Sequence, residues 1–248
     1  MPTRRGFTLV EMLVVISLIV LLIGMLLPSL HSSKETARDV KCRTQLRSIM
    51  QAFITFSDEH QQHMPGIWTQ GPQAWQKAWI GTEANTGGSG GAFQGTIAHY
   101  LGGNAGVKEA YRCPSLAPGV VGSGSGSNGS FDYSAFVVFS GARTLTIPTS
   151  ADYRDPGSNT VTRTTTPVII EENPAHHINA CCREGGFGSI DQMSTTHTNG
   201  SNHAAIDTSA HRLRFTTLGP TTFDWTIRAP SGAIITMNDN PWGGFGAR

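Results

Sequence analysis

One carboxylate stands inside an otherwise apolar stretch near the start of the chain. The segment from Phe7 to Leu27 holds 21 residues, and Glu11 is its single charged side chain. A carboxylate is costly to place within a membrane and is rarely found there without a partner. Cutting the chain after Gly6 would create an amine on Phe7, four residues before Glu11. In an assembly of identical chains, Glu11 could neutralise that amine on a neighbour; the alternative is a carboxylate that reaches water at the membrane surface.

The cysteines are the next candidates for chemistry. None of the four has the C-x-x-C spacing of a zinc ribbon or a redox motif. In an exported protein, widely separated cysteines are disulfide candidates. We predict a disulfide between Cys42 and Cys113, because Cys42 lies on the apolar stripe of a helix and Pro114 favours an extended segment at Cys113. The alternative is two buried free thiols, with Cys181 and Cys182 paired with each other or reduced.

Other side chains could bind metals or sugars, although each set has a plainer interpretation. Histidines and cysteines could ligate zinc or copper through His176, His177, Cys181 and Cys182, with His197, His203 or His211. Their spacing meets the rules for metal sites only loosely, and the alternative is that residues 176–182 form a loop without a metal. Three tryptophans could stack on a sugar or could simply pack in the core: Trp68, Trp75 and Trp79. No Ser-His-Asp order, phosphate loop or carboxylate dyad stands out, so we predict that the chain is not an enzyme.

The composition indicates an exported, loop-rich domain. Charged residues make up 14% of the chain, and 29 residues are glycine, which is typical of a β-leaning domain outside the cytosol. The formal net charge is +1, and two of the arginines, Arg4 and Arg5, precede the apolar segment. The rest of the chain is therefore near neutral and shows no electrostatic sign of a nucleic-acid partner.

The apolar segment 7–27 is long enough to cross a membrane. As a helix it would measure about 31 Å, which matches the hydrocarbon core of a bilayer. Arg4 and Arg5 would hold the N-terminus in the cytoplasm. A secretory signal has a shorter apolar core with a cleavage site after it, whereas Gly6 comes before the core. We therefore predict a single-pass segment at residues 7–27.

The rest of the chain predicts a helix followed by a β-rich head. Apolar positions recur at helical steps of three and four: Cys42, Leu46, Ile49, Phe53, Phe56 and His60. We predict one helix over residues 7–62, loosened at Pro28, and a globular head over 63–248. Strands are predicted in the head: Tyr133–Phe139, Pro167–Glu172, and a hairpin of His203–Asp207 with His211–Phe215. The fold class is α+β, with an antiparallel sheet against the helix and Gly/Ser-rich loops at 85–91 and 119–130.

The N-terminus resembles the type IV pilin and type II secretion pseudopilin family. Gly6 matches the residue before the cut, Phe7 the methylated first residue, and Glu11 the family's acidic residue. The resemblance implies a leader peptide of residues 1–6 and a pilin-like fold. It also implies three kinds of partner: a membrane peptidase that is also the N-methyltransferase, other pilin or pseudopilin subunits, and an inner-membrane assembly platform.

A narrower resemblance covers the middle and the end of the chain. Cys113 lies in a Cys-Pro-Ser element that resembles one in a large pseudopilin-like group. His197, with Asp207 ten residues later, resembles the C-terminal H-x9-DG signature of that group. The signature has glycine where this chain has Thr208, which predicts a different hairpin turn.

Calcium is the cofactor that the resemblance suggests. Major pseudopilins, which the chain resembles, bind calcium in a C-terminal loop through carboxylates and carbonyls. Four aspartates could supply such ligands here: Asp191, Asp207, Asp224 and Asp239. Their spacing does not match a defined calcium loop, so no cofactor is otherwise expected.

These patterns together predict a structural subunit of a secretion pseudopilus or a type IV pilus-like filament. The chain would first be a single-pass inner-membrane protein with its head in the periplasm, and later part of a periplasmic or cell-surface filament. The alternative is a membrane-tethered periplasmic binding module or enzyme that uses a prepilin-type anchor. Glu11 and a cut after Gly6 favour the filament subunit, because a mere anchor needs neither.

Overall fold

A computed structural model of the protein describes a long helix and most of a β-rich domain. The described residues are 7–67, 77–80, 95–102, 109–116, 131–155, 158–172, 186–187, 193–194, 196–197, 200–214, 224–228 and 234–236. The chain divides into two compact units, Met1–Arg38 and Asp39–Arg248. The sequence prediction placed the start of the head at residue 63, whereas the second unit includes the later half of the helix.

Helix α1 spans Leu9–Glu59, 51 residues, somewhat less than the predicted range 7–62. It ends early because Gln61 and Gln62 take φ values of 57° and 65°, in the left-handed region that terminates helices. The amide of Gln62 donates to the Ser57 carbonyl at 2.8 Å and closes the last turn. Pro28 lies inside the helix, so the predicted loosening does not interrupt it.

The later half of α1 buries one face, as its spacing predicts. Five of the six stripe residues are buried: Cys42, Leu46, Ile49, Phe53 and Phe56. The sixth, His60, is half-buried and stacks on the Phe56 ring with centroids 4.0 Å apart. Steps of three and four place these side chains along one face of the helix, and that face forms part of the core.

Two sheets make up the β structure of the second unit within its described residues. One has five strands in the order β5-β1-β4-β6-β7, and the other has four in the order β3-β2-β8-β9. Among the described strands, β1 and β5 form the one parallel pair. The strands are β1 Tyr133–Phe136, β2 Ser150–Arg154, β3 Val161–Thr165, β4 Pro167–Glu171, β5 Gly186–Phe187, β6 Gly200–Ala205, β7 Ala210–Arg214, β8 Asp224–Arg228 and β9 Ile234–Thr236.

The α+β class and the predicted strands are confirmed, with corrections to their ends. The first predicted strand stops at Phe136, because residues Val137–Phe139 turn into a 3-10 helix. The apolar run from Pro167 is strand β4. The predicted hairpin is formed by β6 and β7, which pair antiparallel. The head holds two sheets where the sequence predicted one.

The turn of the β6–β7 hairpin holds Thr208, the residue that stands where the resembling signature has glycine, in a left-handed backbone conformation. Thr208 has φ +66°, a conformation that costs an L-residue energy and that a β-branched side chain rarely adopts. Its amide donates to the Ala205 carbonyl at 2.9 Å, and Asp207 accepts from the Ser209 amide at 3.0 Å. The position therefore has the backbone conformation that glycine prefers, although threonine occupies it.

One transverse row of the five-stranded sheet faces α1. Tyr133 lies opposite Glu171, and Asn202 lies opposite Arg212. Continuing the β4–β6 register by one residue makes Glu171 and Asn202 neighbours. The backbone amide of Asn202 donates to Glu171 Oε2 at 3.4 Å. Side chains opposite each other point to the same side of a sheet. This row therefore presents polar groups to the helix, where Asp39 receives two of them.

Aromatic residues fill the core beside this row. Trp79 is fully buried, with its ring centroid 5.3 Å from that of Phe53 and 5.4 Å from that of Tyr111, both edge to face. Trp79 is thus a core residue, in agreement with the plainer of the two interpretations. Trp68 and Trp75 lie outside the described residues.

Candidate functional site

In the N-terminal unit, helix α1 begins with a capping box built from Thr8 and Glu11. Glu11 Oε2 accepts hydrogen bonds from the Thr8 amide at 2.8 Å and the Thr8 hydroxyl at 2.7 Å. The Glu11 amide in turn donates to Thr8 Oγ1 at 3.2 Å. These bonds satisfy backbone donors at the helix start. The sequence signal for this role was the spacing Thr-x-x-Glu, which the sequence analysis did not use.

The surface of the helix in this unit is apolar on all sides from Met12 to Leu27. Phe7 and Leu9 are 68% and 81% exposed, and large apolar side chains remain exposed as far as Leu30. Among the described residues, α1 is the one helix long and apolar enough to cross a membrane. A helix that is apolar all round must be covered by lipid or by other helices. Gly6 lies outside the described residues.

A second candidate site is a buried cluster in the other unit. It consists of Cys42 on α1, Cys113 in the segment 109–116, Glu171 at the end of β4, and His197 beside β6. All four side chains are at most 2% exposed. Their ligand atoms lie within 4.8 Å of one another. His197 Nε2 is 3.4 Å from Cys113 Sγ and 3.4 Å from Glu171 Oε1.

Asp39 anchors a charged group behind this cluster. It accepts from Asn202 Nδ2 at 2.9 Å and from Arg43 at 2.8 Å, and Arg212 lies 2.5 Å from the same carboxylate. Its Oδ1 is 3.6 Å from His197 Nδ1. Burial would raise the pKa of Asp39, but the hydrogen bonds from Asn202 and Arg212 and the nearby guanidinium charges hold that pKa below its usual range.

The cluster perturbs the pKa values of its own members. The hydrogen bond with Cys42, together with burial, raises the pKa of the Cys113 thiol far above its usual range, against the effect of His197. Burial lowers the pKa of His197, but its contacts with Cys113 and Glu171 outweigh burial and raise that pKa to about 10. The Tyr133 hydroxyl lies 3.1 Å from Cys42 Sγ. Such dense coupling among buried groups marks a candidate site.

The predicted disulfide between Cys42 and Cys113 is absent from the structure. Both residues are free, buried thiols, which is the alternative that the sequence left open. The two sulfur atoms nevertheless lie within 4.8 Å of each other. Cys42 Sγ accepts a hydrogen bond from the Tyr133 hydroxyl at 3.1 Å, and Cys113 Sγ lies 3.4 Å from His197 Nε2.

Within the described part of the chain, the structure does not bring together the residues that the sequence predicted as calcium, zinc or copper ligands. Asp207 is exposed on the hairpin turn and bonded to Ser209. The Asp224 backbone begins β8, whereas Asp191 and Asp239 lie outside the described residues. The calcium prediction therefore stays a prediction. His176, His177, Cys181 and Cys182 also lie outside the described residues, while His203 is buried with its ring 5.9 Å from that of His211.

Glu171 and the pairing of His197 with Cys113 were missed by the sequence interpretation. The four cluster residues come from segments up to 155 positions apart (Cys42 to His197). Local spacing therefore pointed to Cys42 and Cys113 but could not bring Glu171 and His197 to them. The available signal was an acid at the end of an apolar strand, since a buried carboxylate needs a partner. The register that brings Glu171 opposite Tyr133 is a property of the folded sheet.

Comparison with known proteins assigns the N-terminal segment. Residues 1–27 match the family model described as the prokaryotic N-terminal methylation motif. This match supports a precursor of the type IV pilin and pseudopilin type, and it includes Gly6, Phe7 and Glu11. The H-x9-DG detail at the C-terminal end lies outside the match. No curated protein and no solved structure matches the chain.

Proposed function

We propose that this protein is a structural subunit of a type II secretion pseudopilus or a type IV pilus-like filament. The observation that carries the proposal is the methylation motif at residues 1–27, which coincides with an exposed apolar helix start. A prepilin peptidase would cut after Gly6 and methylate the new amine of Phe7. The helix from Phe7 onward would then leave the membrane and pack among neighbouring subunits.

The geometry at Glu11 supports this assembly. The two capping bonds both end on Oε2, which leaves Oε1 able to meet the Phe7 amine of a neighbouring subunit. A carboxylate buried among apolar helices needs such a counter-charge. Glu11 would therefore both start its own helix and fix the axial position of the next subunit.

The proposal also defines partners and location. Before assembly the chain is a single-pass inner-membrane protein with a cytoplasmic N-terminus and a periplasmic head. Its partners are the peptidase with its methyltransferase activity, other pilin or pseudopilin subunits, and an inner-membrane assembly platform. The subunit role requires no catalysis by the chain itself.

Processing can be tested by changing the residue before the cut. Co-expression with a prepilin peptidase should shorten the wild-type chain by six residues, whereas Gly6→Val should stay full length because a side chain blocks backbone approach. Gly24→Val is the matched control, because a Cβ at Gly24 meets no atom within 4 Å, and it should be cut normally. Intact-mass measurement separates the two forms. Cleavage of Gly6→Val at the same bond would contradict the proposal.

A further inference from the structure

We infer that Cys42, Cys113, Glu171 and His197 form a binding site for a structural zinc ion. This inference goes beyond the role in a filament and does not depend on processing. The four side chains are those that zinc prefers in proteins, two thiolates, an imidazole and a carboxylate. They come from four separate segments of the second unit, and none of the metal sites predicted from the sequence combines these four residues.

The distances fit a tetrahedral ion. With the usual zinc bond lengths, tetrahedral ligand atoms lie about 3.3 Å apart for nitrogen and oxygen and about 3.6 Å apart for sulfur and nitrogen. The observed separations are 3.4 Å from His197 Nε2 to Glu171 Oε1 and 3.4 Å from His197 Nε2 to Cys113 Sγ. Two sulfurs would lie about 3.8 Å apart, and all four atoms are within 4.8 Å of one another.

An unsatisfied buried oxygen points independently to a ligand. Glu171 is fully buried, and within the described part of the chain no group donates a hydrogen bond to its Oε1, which has the 3.4 Å ion-pair contact with His197 Nε2 instead. A buried carboxylate oxygen without a partner is costly. The single nitrogen His197 Nε2 faces both this oxygen and Cys113 Sγ, and it cannot donate one proton to both. A cation at the centre of the cluster would satisfy all of these atoms at once.

The surroundings suit an ion with thiolate ligands. Asp39 Oδ1 lies 3.6 Å from His197 Nδ1, on the side where zinc-bound histidines commonly have a carboxylate. The Tyr133 hydroxyl, 3.1 Å from Cys42 Sγ, is placed to donate to a thiolate. Charges also balance: a zinc ion with three anionic ligands carries one excess negative charge, and Asp39 with Arg43 and Arg212 carries one excess positive charge.

Zinc fits this site better than calcium, magnesium or Cu(I) does. Calcium and magnesium require oxygen ligands, and Cu(I) favours thiolates and thioethers over a carboxylate. All four tetrahedral positions come from the protein and are buried, so no position is open to substrate, which is typical of a structural site. Binding would release to solvent the two thiol protons and the proton on His197 Nε2. The ion would tie α1 to β4 and to the segments that carry Cys113 and His197.

The metal content of the full-length, uncleaved chain tests the inference. The protein is purified in detergent without chelators, and zinc is measured by inductively coupled plasma mass spectrometry. We expect about one zinc per chain, and exchange with Co²⁺ should give the absorption of tetrahedral thiolate-bound cobalt. Because the cobalt spectrum is measured on the wild-type chain, it does not depend on any variant folding.

Matched variants assign the ligands. Cys113→Ser and His197→Gln should lower zinc affinity at least about tenfold, the lower end of the range that is typical for losing only an outer partner of a ligand. The double variant Cys181→Ser with Cys182→Ser, and His211→Gln, remove the same residue types outside the cluster and should keep the zinc. Since cleavage is not involved, these results are separate from any failure of the filament proposal.

Two outcomes would overturn the inference. One is a folded, zinc-free chain in which non-reducing peptide mapping finds Cys42 linked to Cys113, since a disulfide removes both thiolates. The other is loss of zinc in the Cys181 and Cys182 control while Cys113→Ser keeps it, which would place the metal elsewhere. The inference is supported if the control variants keep zinc and the cobalt spectrum while Cys113→Ser and His197→Gln lose both.

Discussion

The two roles of Glu11 can be separated by a pair of substitutions. In the structure Glu11 caps its own helix through Thr8, with bonds of 2.7 Å and 2.8 Å to Oε2. In the filament it would also neutralise the Phe7 amine of a neighbour. Glu11→Gln keeps an oxygen that can accept from Thr8, because glutamine also serves in capping boxes, but it removes the charge. Thr8→Ala removes the cap and leaves the charge.

The expected effects differ in size. Loss of an N-cap hydroxyl costs about 1 kcal/mol, which is about a fivefold change in the fraying of the first turn, so Thr8→Ala should assemble nearly normally. Leaving the amine of a neighbour buried without its counter-charge is more costly, and for Glu11→Gln we expect incorporation to fall about a hundredfold or more. The effect should repeat at each subunit contact.

Sheared filaments provide the assay. Each variant is expressed with the wild-type assembly machinery, its processing is checked in the membrane fraction, and the amount in the sheared fraction is compared by immunoblot. Glu11→Gln should be cut normally and be nearly absent from filaments. Normal incorporation of Glu11→Gln together with loss of Thr8→Ala would refute the reasoning, because capping alone would then explain the carboxylate.

Two further predictions concern the stability of the head in the full-length chain. Thr208→Gly should raise the free energy of unfolding by up to about 1 kcal/mol, since glycine accepts the φ of +66° without strain; urea denaturation checks this, and a gain of the same size in Thr208→Ala, which keeps the strain, would contradict it. Burial, aided by the charge of His211, lowers the pKa of His203 to about 3, below the usual value of about 6.5. At pH values between the folded and the unfolded pKa, His203 binds a proton in the unfolded chain but not in the folded chain. The free energy of unfolding should therefore fall as pH falls, by up to about 1.4 kcal/mol per pH unit. His203→Gln should flatten this slope relative to His211→Gln in urea titrations at pH 7 and pH 5, and an unchanged slope would show that His203 does not carry it.

The local patterns of the sequence predicted the helix and the strands well. The helix face from Cys42 to Phe56 follows from spacing alone, because steps of three and four fix one side of a helix whatever it packs against. The strand at Pro167 follows from its apolar run. The early helix end at Glu59 was missed, since glutamines at positive φ give no composition signal. The second sheet was missed because its first two strands, Ser150–Arg154 and Val161–Thr165, hold few apolar residues.

The candidate sites show the same division between local and non-local information. The motif around Gly6 and Glu11 is local, and the family model confirms it at residues 1–27. The buried cluster depends on the register that places Glu171 opposite Tyr133 and on a loop that carries His197 to Cys113. Such long-range contacts are fixed by packing of the whole head, so spacing in the sequence could not predict them.

The mature N-terminus is the most direct test of the central claim. The protein is recovered from the membrane and sheared fractions of cells that carry a prepilin peptidase, and its N-terminal peptide is analysed by tandem mass spectrometry. The account predicts that the mature chain begins at Phe7 and that its amine carries a methyl group. A chain that still begins at Met1 or Pro2, or that is cut after the apolar segment rather than before it, would contradict the account.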